Sequence, residues 1–354
     1  MNQQELSAYL SGKFDEPVAV TGLKQTFPGM SRETWLVETL RGKAGAQHGE
    51  NLVVRVDPPG GSIVPVPLFF EWQVYERLNR TEIPVAQAYW YDGAPALSQG
   101  RPLFVRAMVE GVTYPPGLQA DTAEAAERRK HVVLEYVEKI AIIHRLDWKS
   151  YGFGEIMPAP SSPEDAMRSE LMRWWQIWDE IRTEPFPVIT EALYWFLEHL
   201  PKRAAAVTLC KGQTGIGEEI WQDDKIVAFS DWELAHIGDP IQDLALSQGM
   251  LNMWDRQKIL AHYESCAGFS LPLENIAYYS VWEVFNSMLT LNAGLRAFLS
   301  GRNRRLARAT LGLGKVKVYE HLLGSILDMD VEEAAAFCIK RRPNPYHDKK
   351  VSGG

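Results

Sequence analysis

Short apolar runs broken by turn residues mark the first hundred positions: Val18 to Val20, Thr34 to Leu40 and Leu52 to Val56, with Phe27-Pro28-Gly29 between the first two. That alternation predicts strands joined by turns. A Pro/Gly-rich stretch from Pro58 to Pro67 gives way to FFEWQVYERL, where Phe70, Val74, Arg77 and Leu78 recur at helical spacing. Two further extended stretches, Ala86 to Tyr91 and Leu103 to Val109, lead into Glu110-Gly111 and the pair Pro115-Pro116. The pattern predicts a small sheet-rich lobe with one helix over residues 1–110, closing on a hinge.

Beyond residue 120 the period changes. Val133, Val137, Ile140 and Ile143 form the stripe of a long amphipathic helix ending near Leu146 to Trp148. Ser162-Pro163-Glu164-Asp165 reads as an N-cap, a proline at N1 and an acidic first turn, opening a helix whose Trp174, Trp175 and Trp178 belong in the core. Between Val207 and Phe229 glycine-punctuated loops surround two short β runs, Glu219 to Trp221 and Ile226 to Phe229, with Asp223-Asp224 as their turn. From Asp243 to about residue 340 the chain reads as helix again. The expected second lobe spans 111–345 and is mainly helical; residues 346–354 are expected to fray.

Composition narrows this picture. At 354 residues the chain is long enough for two or three compact units. Its formal charge of -8 argues against attraction of the whole molecule to nucleic acid. No apolar run approaches the roughly 18 residues of a bilayer span, and the start MNQQELSAYLSGKFDE lacks a signal-peptide pattern. Cys210, Cys266 and Cys338 have no CxxC spacing, so neither a zinc module nor a disulfide framework is indicated. A cytoplasmic protein acting on a small molecule, with neither a membrane nor nucleic acid as partner, is the expectation.

The most informative segment is IVAFSDWELAHIGDPIQDLA, residues 226–245, in which an apolar strand delivers Asp231 and the chain turns through Gly238-Asp239-Pro240 into a helix. A carboxylate at a sheet mouth beside glycines is a common way to hold a divalent cation against phosphate oxygens. The plainer reading makes Asp231 and Asp239 turn and helix caps. DWELAHIGDPIQDLA resembles the metal-binding segment of the aminoglycoside phosphotransferase and choline kinase-like family, relatives of the protein kinases. Other landmarks resemble that family in order: FPGMSRETWLVE, residues 27–38 with Ser31, its nucleotide-covering hairpin; LVVRV with Arg55, the strand carrying the phosphate-pairing cation; Glu71, the helix carboxylate that pairs with that cation; Phe104 to Gly111, the inter-lobe hinge; and IHRLDW, residues 143–148, the end of the long helix. The resemblance spans roughly residues 15–330. It implies an α+β, two-lobed protein-kinase-like fold with a small β-rich N-lobe and a mainly helical C-lobe, and it implies ATP and magnesium as ligands, with Ser31, Arg55 and Glu71 on the nucleotide.

The loop before this segment departs from the resemblance. Where relatives carry His-Gly-Asp and, five residues later, a magnesium-binding Asn, this chain has Lys211-Gly212-Gln213 and Glu218. A glutamine amide cannot accept a proton near neutral pH, whereas Glu218 can serve as a metal ligand beside Asp231. The leading expectation is therefore a kinase-fold enzyme that uses Lys211, Gln213, Glu218 and Asp231 for acid/base chemistry on a small organic substrate. An ATP/magnesium-dependent O-phosphotransferase and a non-catalytic ligand-binding pseudokinase are the alternatives. Lys211 reads either as a counter-charge among Glu218, Glu219, Asp231 and Glu233 or as a reactive amine. Glu218 and Glu219, as neighbours in an extended segment, point to opposite faces, so at most one of them enters the cleft. Cys210 reads as a packing thiol and His144 as a core histidine; His236 is the histidine with a route to the cleft. The basic run Arg302 to Arg308 reads as a solvated helix face, or as a grip for a phosphate-bearing substrate such as a coenzyme A thioester.

Overall fold

The computed structural model describes the chain except residues 27–30, 44, 60–61, 216, 302–305 and 342–354. Five antiparallel strands, β1 (Val18–Gln25), β2 (Glu33–Arg41), β3 (His48–Val56), β4 (Ala88–Asp92) and β5 (Leu103–Ala107), form a sheet in the order β1-β2-β3-β5-β4. The sheet is covered on both faces, so β3 reads as a continuous apolar run rather than an alternating one. Helix α1 (Gln3–Phe14) covers one face, packing Leu6 and Leu10 against Val37, Leu52, Val54 and Val105. Sequence patterning does not predict this helix, because only two of its twelve residues are buried. Burying each of those leucines contributes about 1.5–3 kcal/mol.

Helix α2 (Leu68–Leu78) lies on the opposite face. Its buried stripe of Leu68, Glu71, Val74, Tyr75 and Leu78 follows the i, i+3, i+4 spacing, so Glu71 points inward with the apolar residues. Strand alternation turns Arg55 away from Val54 and Val56, toward this helix. The sequence-based readings of these strands and of α2 agree with the structure to within a few residues.

The second part of the chain is built on α3 (Ala123–His144), α4 (Ala166–Ile181) and α5 (Pro187–Glu198), then α6 (Ile241–Leu246), α7 (Gln248–Leu251), α8 (Arg256–Ala267), α9 (Asn275–Leu299), α10 (Leu306–Ile326) and α11 (Val331–Arg341). Trp174 and Trp178 are buried and Trp175 is half-buried, as expected of core residues. The start of α4 corrects the sequence reading. Ser162 to Asp165 form a turn, in which the Asp165 amide donates to Ser162 O and the Pro163 carbonyl is taken by the Ala204 amide. That long-range bond docks the segment, and the helix begins only at Ala166.

Between α5 and α6 lie four short strands in two pairs. Strand β6 (Thr208–Cys210) pairs with β9 (His236–Gly238), and β7 (Glu219–Gln222) pairs with β8 (Lys225–Phe229). The segment after β5 is fastened to β7 by reciprocal backbone bonds between Val112 and Trp221, of 2.9 and 2.8 Å.

Candidate active site

Two neighbouring cavities meet at the 211–218 loop. The first, about 490 Å³, is walled by Ser31 and Arg32 before β2, Arg55 on β3, Arg106 on β5, and Glu218 and Asp231. Thr290, Leu291 and Gly294 of α9 close its far side, a contribution that sequence spacing gave no means to anticipate. The second, about 470 Å³, runs from Gln213 and Thr214 to Met250, Asn286 and Tyr319. Gln213 and Glu218 border both.

In the first cavity Arg55 bridges two acids, with Glu71 Oε1 at 2.8 Å and Asp231 Oδ1 at 3.5 Å. Burial alone would lower the Arg55 pKa, but Glu71, Asp231 and Glu233 outweigh it and keep the guanidinium charged. Arg32, which the sequence reading passed over, is equally central. It pairs with Asp57, donates to Val66 O at 2.6 Å and lies 3.5 Å from Glu233. Ser31 donates to Glu233 Oε2 at 2.7 Å and shares a 2.6 Å bond with Ser62. The hairpin tip at 27–30 lies outside the described residues, and so do most of the basic run 302–308 and the terminal segment from 342.

Asp231 sits just past β8 with φ +60, a conformation that Asp tolerates better than most residues. Its Oδ1 is buried against Arg55, an ion pair without a hydrogen bond. Ser230 ties it to the loop, since both the amide and the hydroxyl of Ser230 bond to Glu218 O, at 2.9 and 3.0 Å. Glu218 Oε1 accepts from the Gln213 amide at 3.2 Å. Burial pushes the Glu218 carboxyl above its ordinary range, Asp231 adds to this, and Lys211 and Gln213 oppose it. A carboxylate 28% exposed at a cavity it shares with a second acid suits a hard divalent cation. Asp231 and Glu218 are the side chains that could hold one, with Arg55 beside them for phosphate oxygens.

Lys211 is enclosed. Its ammonium bonds to Gln213 O and reaches Asp231 O at 3.5 Å, over the ring of Trp232, and it borders neither cavity. Glu219 is fully buried behind it, with neither carboxyl oxygen hydrogen-bonded; burial pushes it up to about 8, Lys211 pulling the other way. Glu218 and Glu219 thus part to opposite sides.

The loop is held from below by Asp243, which is wholly buried. It accepts from the amides of Lys211 (2.7 Å) and Gly212 (2.9 Å) and faces His144 Nε2 at 3.1 Å. His144 Nδ1 meets Tyr263 at 2.7 Å. Burial works against the Asp243 charge, but His144 and the amides overcome it and hold the carboxyl below its usual range. Gly212 has φ +79, and a Cβ there would strike the Leu234 carbonyl, so the turn requires glycine. Among the described residues, His144, Cys210 and Asp243 are the one group of three or more His, Cys or acidic side chains close enough together to share an ion. The hydrogen bonds of His144 and Asp243 make it a brace.

Two other candidates fall outside the cleft. Asp239 is a buried cap, accepting from the Ile241 amide at 3.0 Å and from Tyr279 at 2.9 Å. His236 does not reach the cleft: β9 turns it inward, where its nitrogens meet Leu234 O and Gln242 Oε1, each at 3.2 Å.

A model of the phosphotransferase enzyme family matches residues 25–269. The chain belongs to that family. Among solved structures, a Ralstonia eutropha protein assigned to the aminoglycoside phosphotransferases superposes with a TM-score of 0.64 at 17% identity, covering 96% of this chain and 98% of that one. Choline kinase LicA from Streptococcus pneumoniae gives 0.57 at 14%, covering 91% and 98%. A thermostable mutant of aminoglycoside phosphotransferase APH(4)-Ia, in a ternary complex with AMP-PNP and hygromycin B, gives 0.54 at 14%, covering 91% and 99%. These likenesses establish the two-lobed protein-kinase-like fold that the sequence motifs implied. Curated relatives include acyl-CoA dehydrogenase family member 11 of Homo sapiens, 23% identical over 300 residues, and of Gallus gallus, 20% over 320. The matches cover 80% and 83% of this chain but only 35% and 39% of those proteins. No helix among the described residues is long and apolar enough to cross a membrane.

Proposed function

We propose that this phosphotransferase-family protein transfers the γ-phosphoryl group of ATP to a hydroxyl of a small molecule, with Glu218 taking the proton that an aspartate at position 213 would otherwise accept. The observation that carries this reading is the position of Glu218: a carboxylate bordering both cavities, steered by the Gln213 amide and fixed to Ser230 beside Asp231. The alcohol oxygen forms the new bond to the γ-phosphorus, the bond to the bridging oxygen breaks, and ADP leaves with that electron pair; the hydroxyl proton goes to Glu218. Asp231 would hold magnesium, which supplies charge neutralisation on the phosphates and leaves Glu218 for the proton. Arg55, anchored by Glu71, would pair with phosphate oxygens.

The reading without ATP, in which Lys211 acts on the substrate, has less support because the Lys211 ammonium is bound by two carbonyls and borders neither cavity. The names of the curated relatives favour hydroxylated acyl thioesters among the alcohols to be tested.

The test is magnesium-dependent ADP formation and product phosphorylation across a panel of hydroxylated metabolites, for wild type and Glu218→Gln. Turnover is expected to fall about 10²–10⁴-fold in the variant. Equal turnover would remove Glu218 as the base. If no alcohol is phosphorylated although ATP binds, the transferase reading gives way to a binding protein.

A further inference from the structure

A third cavity, about 380 Å³, lies behind α2, away from the 211–218 loop. Its walls come from α2 and the turn before it, the 156–160 loop, α4 and the residues just after Trp232. Phe69, Phe70, Ile156, Met157 and Ile177 make it largely apolar. Native interiors are packed with few voids larger than a water molecule, and spaces of this size fall at the lower end of the range for small-ligand sites.

The polar groups on these walls are mostly engaged with one another. Arg173 is bound by both oxygens of Glu170, at 2.7 and 2.8 Å, and both His236 nitrogens have partners. The walls therefore offer little to a charged ligand, whose desolvation would go uncompensated. Glu233 is the exception. It borders this cavity and the 490 Å³ cleft alike, and a carboxylate with about four acceptor positions can accept a further donor besides Ser31 and the nearby Arg32, both of which meet Oε2. At the rim Phe69 is 42% exposed yet held by ring contacts with Trp72 and Tyr91, at 5.6 and 4.9 Å between centroids. A solvent-facing aromatic ring fixed in this way is prepared for stacking.

We infer that this cavity is a second ligand site, separate from the transfer cleft, for an uncharged, mainly apolar or aromatic molecule carrying one hydrogen-bond donor for Glu233. The inference stands independently of the proposed reaction.

The probe is 2-naphthol, whose fused rings suit the walls and whose hydroxyl suits Glu233; its fluorescence reports binding without nucleotide or turnover. Saturable one-to-one binding is expected. Ile177→Trp and Gln73→Trp, both at half-buried wall positions, should fill the space and weaken binding at least about tenfold. Thr290→Trp, which narrows the cleft instead, should leave it within about twofold. Cooperative melting of each variant verifies folding, and either wall variant suffices if the other fails. No saturable binding, binding that survives the wall variants, or loss confined to Thr290→Trp would overturn the site.

Discussion

Asp231 and Asp243 stand twelve positions apart in one segment, yet they occupy opposite chemical conditions. Asp243 is enclosed and spent: two amides and a histidine use its oxygens. Asp231 is partly open, at 28% side-chain exposure, sits on a left-handed backbone and makes no hydrogen bond through Oδ1, which meets only the Arg55 ion pair. Burial and saturation by hydrogen bonds, rather than residue type, separate the acid that builds the loop from the acid left available for a ligand.

The sharpest way to break the contrast is to neutralise each in turn. Asp243→Ala strands the Lys211 and Gly212 amides and His144, and should cost about 3–5 kcal/mol in urea unfolding. Asp231→Asn should leave the unfolding curve within about 1 kcal/mol of wild type while removing magnesium-dependent nucleotide affinity in calorimetry. Similar destabilisation by both would erase the distinction.

Glu170 extends the saturated class. Burial pushes its carboxyl up, but Arg173, His236 and Trp174 more than offset this and hold it at about 2, against an ordinary 4.5. Because its folded-state pKa is depressed, its contribution is complete above pH 4.5 and disappears as pH falls toward 2. Acid titration of stability should therefore show an extra loss of roughly 3 kcal/mol across that window, absent in Glu170→Gln. An identical acid limb in the variant would count against the pairing.

A smaller effect tests the amine enclosed between the two classes. Lys211→Met removes its bonds to two carbonyls and should lower stability by about 1–3 kcal/mol, with nucleotide affinity within a few-fold of wild type. Complete loss of turnover at full stability would instead return Lys211 to the chemistry.

The sequence carried most of the architecture because the sheet and long helices announce themselves by period. Leu52 to Val56 and the Val133–Ile143 stripe needed no tertiary information. Helix α1 was hidden because two leucines in twelve residues make no stripe, and the turn at Ser162 was misread because its competitor is an amide 41 positions away, at Ala204. In the site, the Arg55–Glu71 pair was implied by the family resemblance, and the parting of Glu218 from Glu219 was legible from strand alternation. The bracing by Asp243 was not, since its partners lie 31, 32 and 99 residues off. Arg32 escaped for a related reason: its neighbours Asp57, Val66 and Glu233 come from three separate segments.

The paired backbone bonds between Val112 and Trp221 carry a mechanical consequence. Trp221 is three residues along from Glu218, on a strand whose far edge is β8. A swing of the sheet lobe about the residues preceding Val112 leaves both bonds intact, because Val112 stays with the strand to which it is bonded. The connection between lobes is thus pinned at its end to the strand that follows Glu218, which holds the carboxylate at the centre of the cleft apart from any bending upstream.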